Sequence, residues 1–105
     1  MGRYLVIWRS NLAAWPKDPA EGLKLLESSY AVIEELTKKG LVKDYGDFVD
    51  GMSGYIVCEG EPADILRASG IGLPFWLSEV HEVVPYEKAK EAWRAVFKAL
   101  IEAGK

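Results

Sequence analysis

Two residues in the last third of the chain have the types and the spacing that acid–base chemistry requires. His81 is the only histidine, and Glu79 lies two residues before it. In a strand, residues two apart share a face and are separated by about 7 Å along the strand. A carboxylate at that spacing can orient an imidazole or share a substrate with it. The pair therefore predicts a catalytic site with His81 as base and Glu79 as orienting group.

The proton donor for this pair depends on how the strands are arranged. If the first and last predicted strands pair antiparallel, Tyr4 falls roughly opposite His81 and supplies a phenol. Tyr55 is the other candidate for that role. The alternative is that Glu79, His81 and Glu82 are solvated polar positions on an edge strand, and the sequence leaves both interpretations open.

Aromatic side chains on three different predicted strands indicate a second kind of site. Trp8, Tyr55 and Trp76 have the character of a pocket that stacks a flat or unsaturated ligand. The ordinary alternative is that they form core or a dimer interface. Asn11 joins this ligand-binding set, because its loop and the loop over residues 70–74 should gather at one end of the sheet. We expect a ligand entrance there.

Metal and thiol chemistry find little support in the sequence. Cys58 is the only cysteine, and it alternates with Ile56, which predicts an inert buried thiol. No Lys, Arg or second His is close in sequence to lower its pKa. One His and one Cys on different strands do not make a recognisable metal-ligand set. We therefore predict no metal site and no cofactor.

Composition excludes several classes of protein. The chain has 105 residues, of which 50% are hydrophobic and 28% charged, as expected for one folded domain over residues 1–105. A net charge of −3 and a pI near 5.2 argue against a nucleic-acid binder. The apolar run from Tyr4 to Trp8 is too short for a signal peptide or a membrane span. We expect a cytoplasmic protein without nucleic-acid or membrane partners, and one thiol fits that reducing compartment.

Hydrophobic periodicity predicts four strands and three helices that would position these residues. The strands are expected over residues 3–10, 41–49, 54–59 and 75–84, and the helices over 19–39, 62–69 and 86–103. Asp18 should cap the first helix, with Glu21 completing a capping-box-like pair, and Gly40 should end it. Gly46 predicts a bulge or bend in the second strand.

This order of elements predicts an α+β fold. The expected architecture is a ferredoxin-like βαββαβ antiparallel sheet with an additional C-terminal helix packed at its end. The spatial order should be fourth, first, third, second strand, with the crossover helices on one face. The strands are apolar on both faces, and an uncovered apolar face favours association. We therefore expect a homodimer or a larger homo-oligomer.

The segment over residues 72–80, Gly-Leu-Pro-Phe-Trp-Leu-Ser-Glu-Val, carries a family resemblance. It is similar to the Leu-Pro, aromatic and acidic-plus-valine stretch through which muconolactone isomerase-like chains of the dimeric α+β barrel superfamily enter their last strand. The resemblance implies a homo-oligomer with a ligand pocket between sheet and helices. It also implies cofactor-free proton transfer on a small unsaturated acid or lactone. No catalytic residue is carried over, and the long helix over 86–103 departs from the family's shorter arm.

The sequence therefore favours a small-molecule-binding protein, with a cofactor-free isomerase as its catalytic form. Two alternatives remain open. One is a non-catalytic ligand-binding or assembly module, and the other is a cofactor-free monooxygenase-type enzyme, which shares the same superfamily.

Overall fold

A computed structural model describes all residues, 1–105, and shows the predicted order of elements. The elements are β1 (Gly2–Ser10), α1 (Pro19–Lys38), β2 (Val42–Asp47), β3 (Ser53–Gly60), α2 (Pro62–Gly70), β4 (Trp76–Val83) and α3 (Tyr86–Ala103). The α+β class is confirmed, and the bounds differ from the expected ones only at the ends of elements. None of the three helices combines the length and the apolar character needed to cross a membrane.

The four strands form one antiparallel sheet in the order β2-β3-β1-β4. This is the predicted spatial order and is compatible with a ferredoxin-like fold. Along the central strand β1, side chains alternate between the two faces. Tyr4, Val6 and Trp8 point to the face that carries α1 and α2, which we call the inner face. Leu5 and Ile7 point to the opposite side, the outer face.

Local signals position α1 as expected, with one exception. Asp18 Oδ1 accepts a hydrogen bond from the backbone N–H of Ala20 at 3.2 Å, which caps the helix. Glu21 does not complete a capping box, because its carboxylate instead pairs with Lys24 at 3.7 Å. Gly40 follows the helix with a φ of 84°, in the left-handed region that favours glycine.

The irregular point of β2 lies earlier than the sequence predicts. The pairing register with β3 shifts between Val42 and Asp44, whereas Gly46 lies within regular pairing opposite Tyr55. A Cβ atom on Gly46 would come within 2.9 Å of the Tyr55 ring. The prediction of a bulge at Gly46 was therefore wrong, and the close approach of an aromatic ring explains the glycine.

The core is small and lies between the inner face and α2. The buried hydrophobic residues are Tyr4, Val6, Val42, Cys58 and Ile65. α1 packs along β2, whereas α2 packs along β3 and β1. Because the two helices stand over different strands, part of the inner face between them remains uncovered.

α3 does not pack at the end of the sheet, contrary to expectation. None of its residues is buried, and only Ala89 and Lys90 are partly covered. The molecule measures 68 × 28 × 23 Å and has a radius of gyration of 18.4 Å. A compact domain of this length would have a radius of gyration of about 13 Å. α3 therefore projects from the body of the molecule, and its apolar side has no partner within the chain.

Candidate functional site

The side chains of His81 and Glu79 meet on β4. The imidazole Nε2 and Glu79 Oε2 are 2.9 Å apart, and both side chains are more than half exposed. They lie on the outer face, because β1 places Leu5 opposite His81 and Ile7 opposite Glu79. Neither residue lines either of the two main cavities. The carboxylate can orient the imidazole, but an exposed pair of this kind is well screened by water.

Tyr4 does not join this pair. In the register of β1 with β4, Tyr4 lies opposite Glu82, and Leu5 takes the position opposite His81. Tyr4 is consequently on the inner face, with the sheet between its phenol and the imidazole. Burial raises the pKa of Tyr4, and the carboxylates of Glu82 and Glu61 raise it further. The expectation that Tyr4 lies opposite His81 was wrong by one residue, and one residue reverses the face.

The aromatic residues expected to share a pocket fall on two faces. Trp8 and Trp76 lie on the inner face, where Trp76 also packs edge to face against Trp15 with ring centroids 5.4 Å apart. Tyr55 lies on the outer face, where its hydroxyl donates a hydrogen bond to Asp44 Oδ2 at 3.0 Å. That hydrogen bond, then the carboxylate charge and burial, raises the pKa of Tyr55. The expectation that Tyr55 lines one pocket with Trp8 and Trp76 was therefore wrong, because Tyr55 lies on the other face of the sheet.

Asn11 supports a loop and does not face the cavity. Its side-chain Nδ2 donates to the carbonyl of Pro74 at 2.9 Å, and its backbone N–H donates to the carbonyl of Phe75 at 2.8 Å. The neighbouring N–H of Ser10 donates to the carbonyl of Met52 at 2.8 Å. These bonds gather the loops at one end of the sheet, as predicted. Asn11 is not among the residues that line the cavity beside them.

That cavity is a cleft between α1, α2 and the inner face. It has a volume of about 330 Å³, and 17 of its 24 lining residues are hydrophobic. Its lining includes Val6, Trp8, Ile56 and Cys58 from the sheet, Leu26 and Ile33 from α1, Ile65 from α2, and Phe75 and Trp76 at the start of β4. Small-molecule sites typically occupy about 300–1,000 Å³ and have mostly apolar walls. The cleft fits that description.

The interior of the cleft offers few groups that could act on a ligand. The Cys58 thiol is buried, and burial raises its pKa, so the thiol stays neutral and poorly nucleophilic. The Ser29 hydroxyl donates to the carbonyl of Leu26 at 2.7 Å. The Ser69 hydroxyl donates to the carbonyl of Leu66 at 2.9 Å. The hydroxyls of Ser29 and Ser69 are therefore hydrogen-bonded within α1 and α2, and the thiol of Cys58 is inert.

A wider depression of about 620 Å³ lies at the other end of the sheet. Only five of its 13 lining residues are hydrophobic. Four of its charged side chains form two ion pairs: Lys43 pairs with Glu59 at 3.8 Å, and Arg67 pairs with Asp64. Because opposite charges alternate here, the depression has no strong preference for an ionic ligand of either sign.

The resemblance implied a pocket between sheet and helices, but the sequence did not identify the residues of α1 that form its wall. Leu26, Ile33 and Leu36 follow a helical rhythm that predicts an ordinary core face. A helix face that borders a cavity has the same rhythm as one that packs on a sheet. Only the placement of α1 over β2, away from the middle of the sheet, converts this core face into a cleft wall.

Comparisons with known proteins do not assign the chain to a family. No family model matches the sequence, and no curated protein matches it. Within the structure, no group of three or more His, Cys, Asp or Glu side chains is arranged to hold a metal ion. The cleft and the His81–Glu79 pair are therefore the two candidate sites of the molecule.

Proposed function

We propose that the protein binds a small, flat, largely apolar molecule in the cleft between α1, α2 and the inner face. The observation that carries this proposal is an apolar cavity of about 330 Å³ with two indole rings, Trp8 and Trp76, in its lining. An aromatic or conjugated ring can pack against indoles with favourable geometry. Polar residues in the same lining, Asp47 and Ser78, are exposed and available to orient a polar substituent.

The expected affinity is weak. A ligand that loses roughly 300 Å² of apolar surface gains about 7.5 kcal/mol at about 25 cal/mol per Å². Loss of translation and rotation opposes binding by at least about 4 kcal/mol. The difference of at most about 3.5 kcal/mol corresponds to a dissociation constant in the millimolar range.

A variant that fills the cleft tests this proposal. Ser78 lies on the inner face of β4 and lines the cleft, whereas Val83 lies on the outer face of the same strand. Ser78→Trp should weaken binding of the fluorescent probe 8-anilinonaphthalene-1-sulfonate at least tenfold, and Val83→Trp should leave it unchanged. Equal binding by both variants would show that the probe sits elsewhere and would remove the proposal.

The His81–Glu79 pair supports a second candidate function. Its 2.9 Å contact is compatible with a cofactor-free isomerase of the muconolactone isomerase-like kind, acting on a small unsaturated acid or lactone. His81 would take a proton from one carbon of the substrate and return it to another, while Glu79 holds the ring. Because the pair opens on the outer face, such a substrate would lie against Leu5 and Tyr55 and not in the cleft.

Deuterium exchange into unsaturated lactones, followed by NMR, tests this second candidate. A general base contributes about 10²–10⁴-fold to a rate, so His81→Ala should slow exchange by at least about 100-fold. Glu82→Gln is a matched control, because Glu82 is the next residue and lies on the other face. Undiminished exchange by His81→Ala would eliminate His81 as the base.

Association of identical chains is part of the proposal. Leu66, Trp93, Phe97, Leu100 and Ile101 are all more than half exposed. A homodimer or larger homo-oligomer, as in dimeric α+β barrels, would remove exposed apolar surface of this kind from water. Native mass spectrometry of untagged protein should give a mass of two or more chains, and a stable single-chain mass would contradict this part. A retained small molecule would also appear there as added mass.

A further inference from the structure

α3 presents an apolar face that no part of its own chain covers. The face consists of Ala89, Trp93, Val96, Phe97, Leu100 and Ile101, which recur at helical spacing. Trp93 is 65% exposed and Phe97 is 60% exposed. Their rings pack edge to face with centroids 6.4 Å apart, so they form one protruding aromatic pair. Most helices of this length owe their stability to the docking of such a face, which predicts that another surface receives it.

The cleft offers a surface of matching character along α1. Tyr30 lines the cleft but is 52% exposed, and Leu23, seven residues earlier on α1, is 58% exposed. We call these two residues the α1 strip. Small-molecule sites enclose about 70–90% of the ligand surface. The cleft is open beside the α1 strip, so it lacks an outer wall that an apolar helix would supply.

Charges beside the two surfaces are complementary. Glu27 and Glu34 lie next to the α1 strip on the helix surface and form no ion pair, whereas the carboxylates of Glu21 and Glu35 do. Arg94 lies beside the apolar face of α3 and likewise has no acidic partner, although two lysines near or on that helix do. Facing helices would bring the two free carboxylates towards this free cation, which favours one docking register.

We propose that α3 of a second copy docks along α1 over the mouth of the cleft, with Trp93 and Phe97 against Leu23 and Tyr30, and that two chains exchange α3 in this way. The occupant is a second copy because donor and receiving surfaces are on the same chain, so that two identical contacts form at once. In a molecule 68 Å long, α3 projects away from the body that carries its own α1. The inference deepens the proposed ligand cleft, since the partner chain would complete its wall.

Dimensions agree with such an exchange. At 1.5 Å per residue, the 18 residues of α3 extend about 27 Å, comparable to the length of α1. Its exposed aromatic and aliphatic side chains offer on the order of 600 Å² of apolar surface. The area buried by two such helices together with the surfaces that receive them would exceed the roughly 1,200 Å² of total buried surface at the lower end of stable interfaces.

Two variants on opposite sides of α3 test the exchange. Phe97→Glu places a carboxylate in the apolar face, and Ala95→Glu adds the same charge to the polar side of the same helix. By sedimentation velocity, wild type and Ala95→Glu should be dimers, whereas Phe97→Glu should dissociate with a dimer constant at least about 100-fold weaker. Circular dichroism should show the same strand and helix content in all three. A monomeric wild type, or a Phe97→Glu dimer as tight as wild type, would overturn the proposal.

Cross-linking identifies the receiving surface. A Tyr30→Cys chain mixed with a Phe97→Cys chain of different mass should yield a disulfide-linked pair of unlike chains under mild oxidation. Replacing Phe97→Cys by Ala95→Cys should abolish that product. If one chain carrying both Tyr30→Cys and Phe97→Cys closes on itself at high dilution, α3 folds back within its own chain and exchange is overturned.

Neither test requires a ligand, so the two proposals can fail separately. If the dimer forms and cross-links as described but 8-anilinonaphthalene-1-sulfonate does not bind in the cleft, the exchange stands and the proposed function fails. If the wild type is a monomer and still binds the probe in the cleft, the exchange is overturned and the binding function stands.

Discussion

At the scale of single residues, stability depends on few positions. Only eight of 105 residues are buried, and five of these form the hydrophobic core. Each buried side chain therefore accounts for a large part of the apolar surface removed from water. α2 shows the contrast within one turn, because Ile65 is 2% exposed and Leu66 is 74% exposed.

That contrast gives a matched pair of substitutions. Ile65→Ala leaves a cavity beneath α2 and should lower the free energy of unfolding by about 2–4 kcal/mol. Leu66→Ala truncates a side chain of the same volume that is exposed to solvent. This change should alter the free energy of unfolding by less than about 0.5 kcal/mol. Urea denaturation followed by circular dichroism measures both values, and similar losses in the two variants would contradict the placement of the core.

Tyr4 predicts how stability depends on alkaline pH. Burial, followed by Glu82 and Glu61, raises the pKa of Tyr4 above 10.0 in the folded protein, so the unfolded chain loses this proton first. The contribution of Tyr4 is therefore fully present below about pH 10 and is lost as pH rises through the folded value. Tyr4→Phe should reduce the fall in unfolding free energy between about pH 9 and pH 11. Tyr55 and Cys58, whose pKa values are also raised, keep part of the slope. An unchanged slope in the variant would exclude Tyr4 as a contributor.

At the scale of elements, close approach of neighbouring strands fixes which residues β3 can hold. Gly54 is buried at the position where β1, β2 and β3 come together. A Cβ atom there would collide with the carbonyl of Gly46 and with the ring of Trp8. The pairing of β2 and the orientation of an indole that lines the cleft therefore both depend on this glycine.

Two Gly→Ala substitutions separate this effect from ordinary glycine flexibility. Gly54→Ala should lower the free energy of unfolding by about 1–3 kcal/mol, because strand or indole must move. Gly70→Ala, at the end of α2 where an added methyl group would meet nothing within 4 Å, should raise it by up to about 1 kcal/mol. Thermal denaturation of the two variants beside wild type measures the difference. Equal stability of the two would show that β3 tolerates the extra atom.

At the scale of the whole molecule, a thin core and a projecting helix indicate that one chain alone is marginal. The partly uncovered inner face, the apolar outer face and α3 all expose hydrophobic side chains. Small domains with little buried surface commonly depend on association for stability. The folded state would then be favoured by mass action at high protein concentration.

Unfolding should accordingly depend on protein concentration. A 100-fold increase in the concentration of chains should stabilise a dimer by about 2.7 kcal/mol and raise the urea midpoint. Phe97→Glu should show a midpoint that does not change with concentration, while Ala95→Glu should behave like wild type. A concentration-independent midpoint for wild type would mean that a single chain is the stable unit.

The sequence by itself determined the order of the elements, the spatial order of the strands and the bounds of α3. It also determined where α1 starts and stops, because Asp18 and Gly40 act on their immediate neighbours. The contact of Glu79 with His81 followed from their spacing within one strand. These features are local, or follow from the small number of topologies that the order of strands and helices allows.

Tertiary structure alone decided the register, the cleft and the exposure of α3. β1 is apolar on both faces over residues 4–8, so its pattern does not exclude a pairing shifted by one residue. Only the hydrogen bonds between β1 and β4 could separate Tyr4 from His81. A helix face has one rhythm whether it meets a sheet, a cavity or another chain, so the sequence could not distinguish the cleft wall of α1 from core. For the same reason it could not tell that α3 projects. Which surface a side chain meets depends on distances between elements, and those are set by the packing of the whole chain.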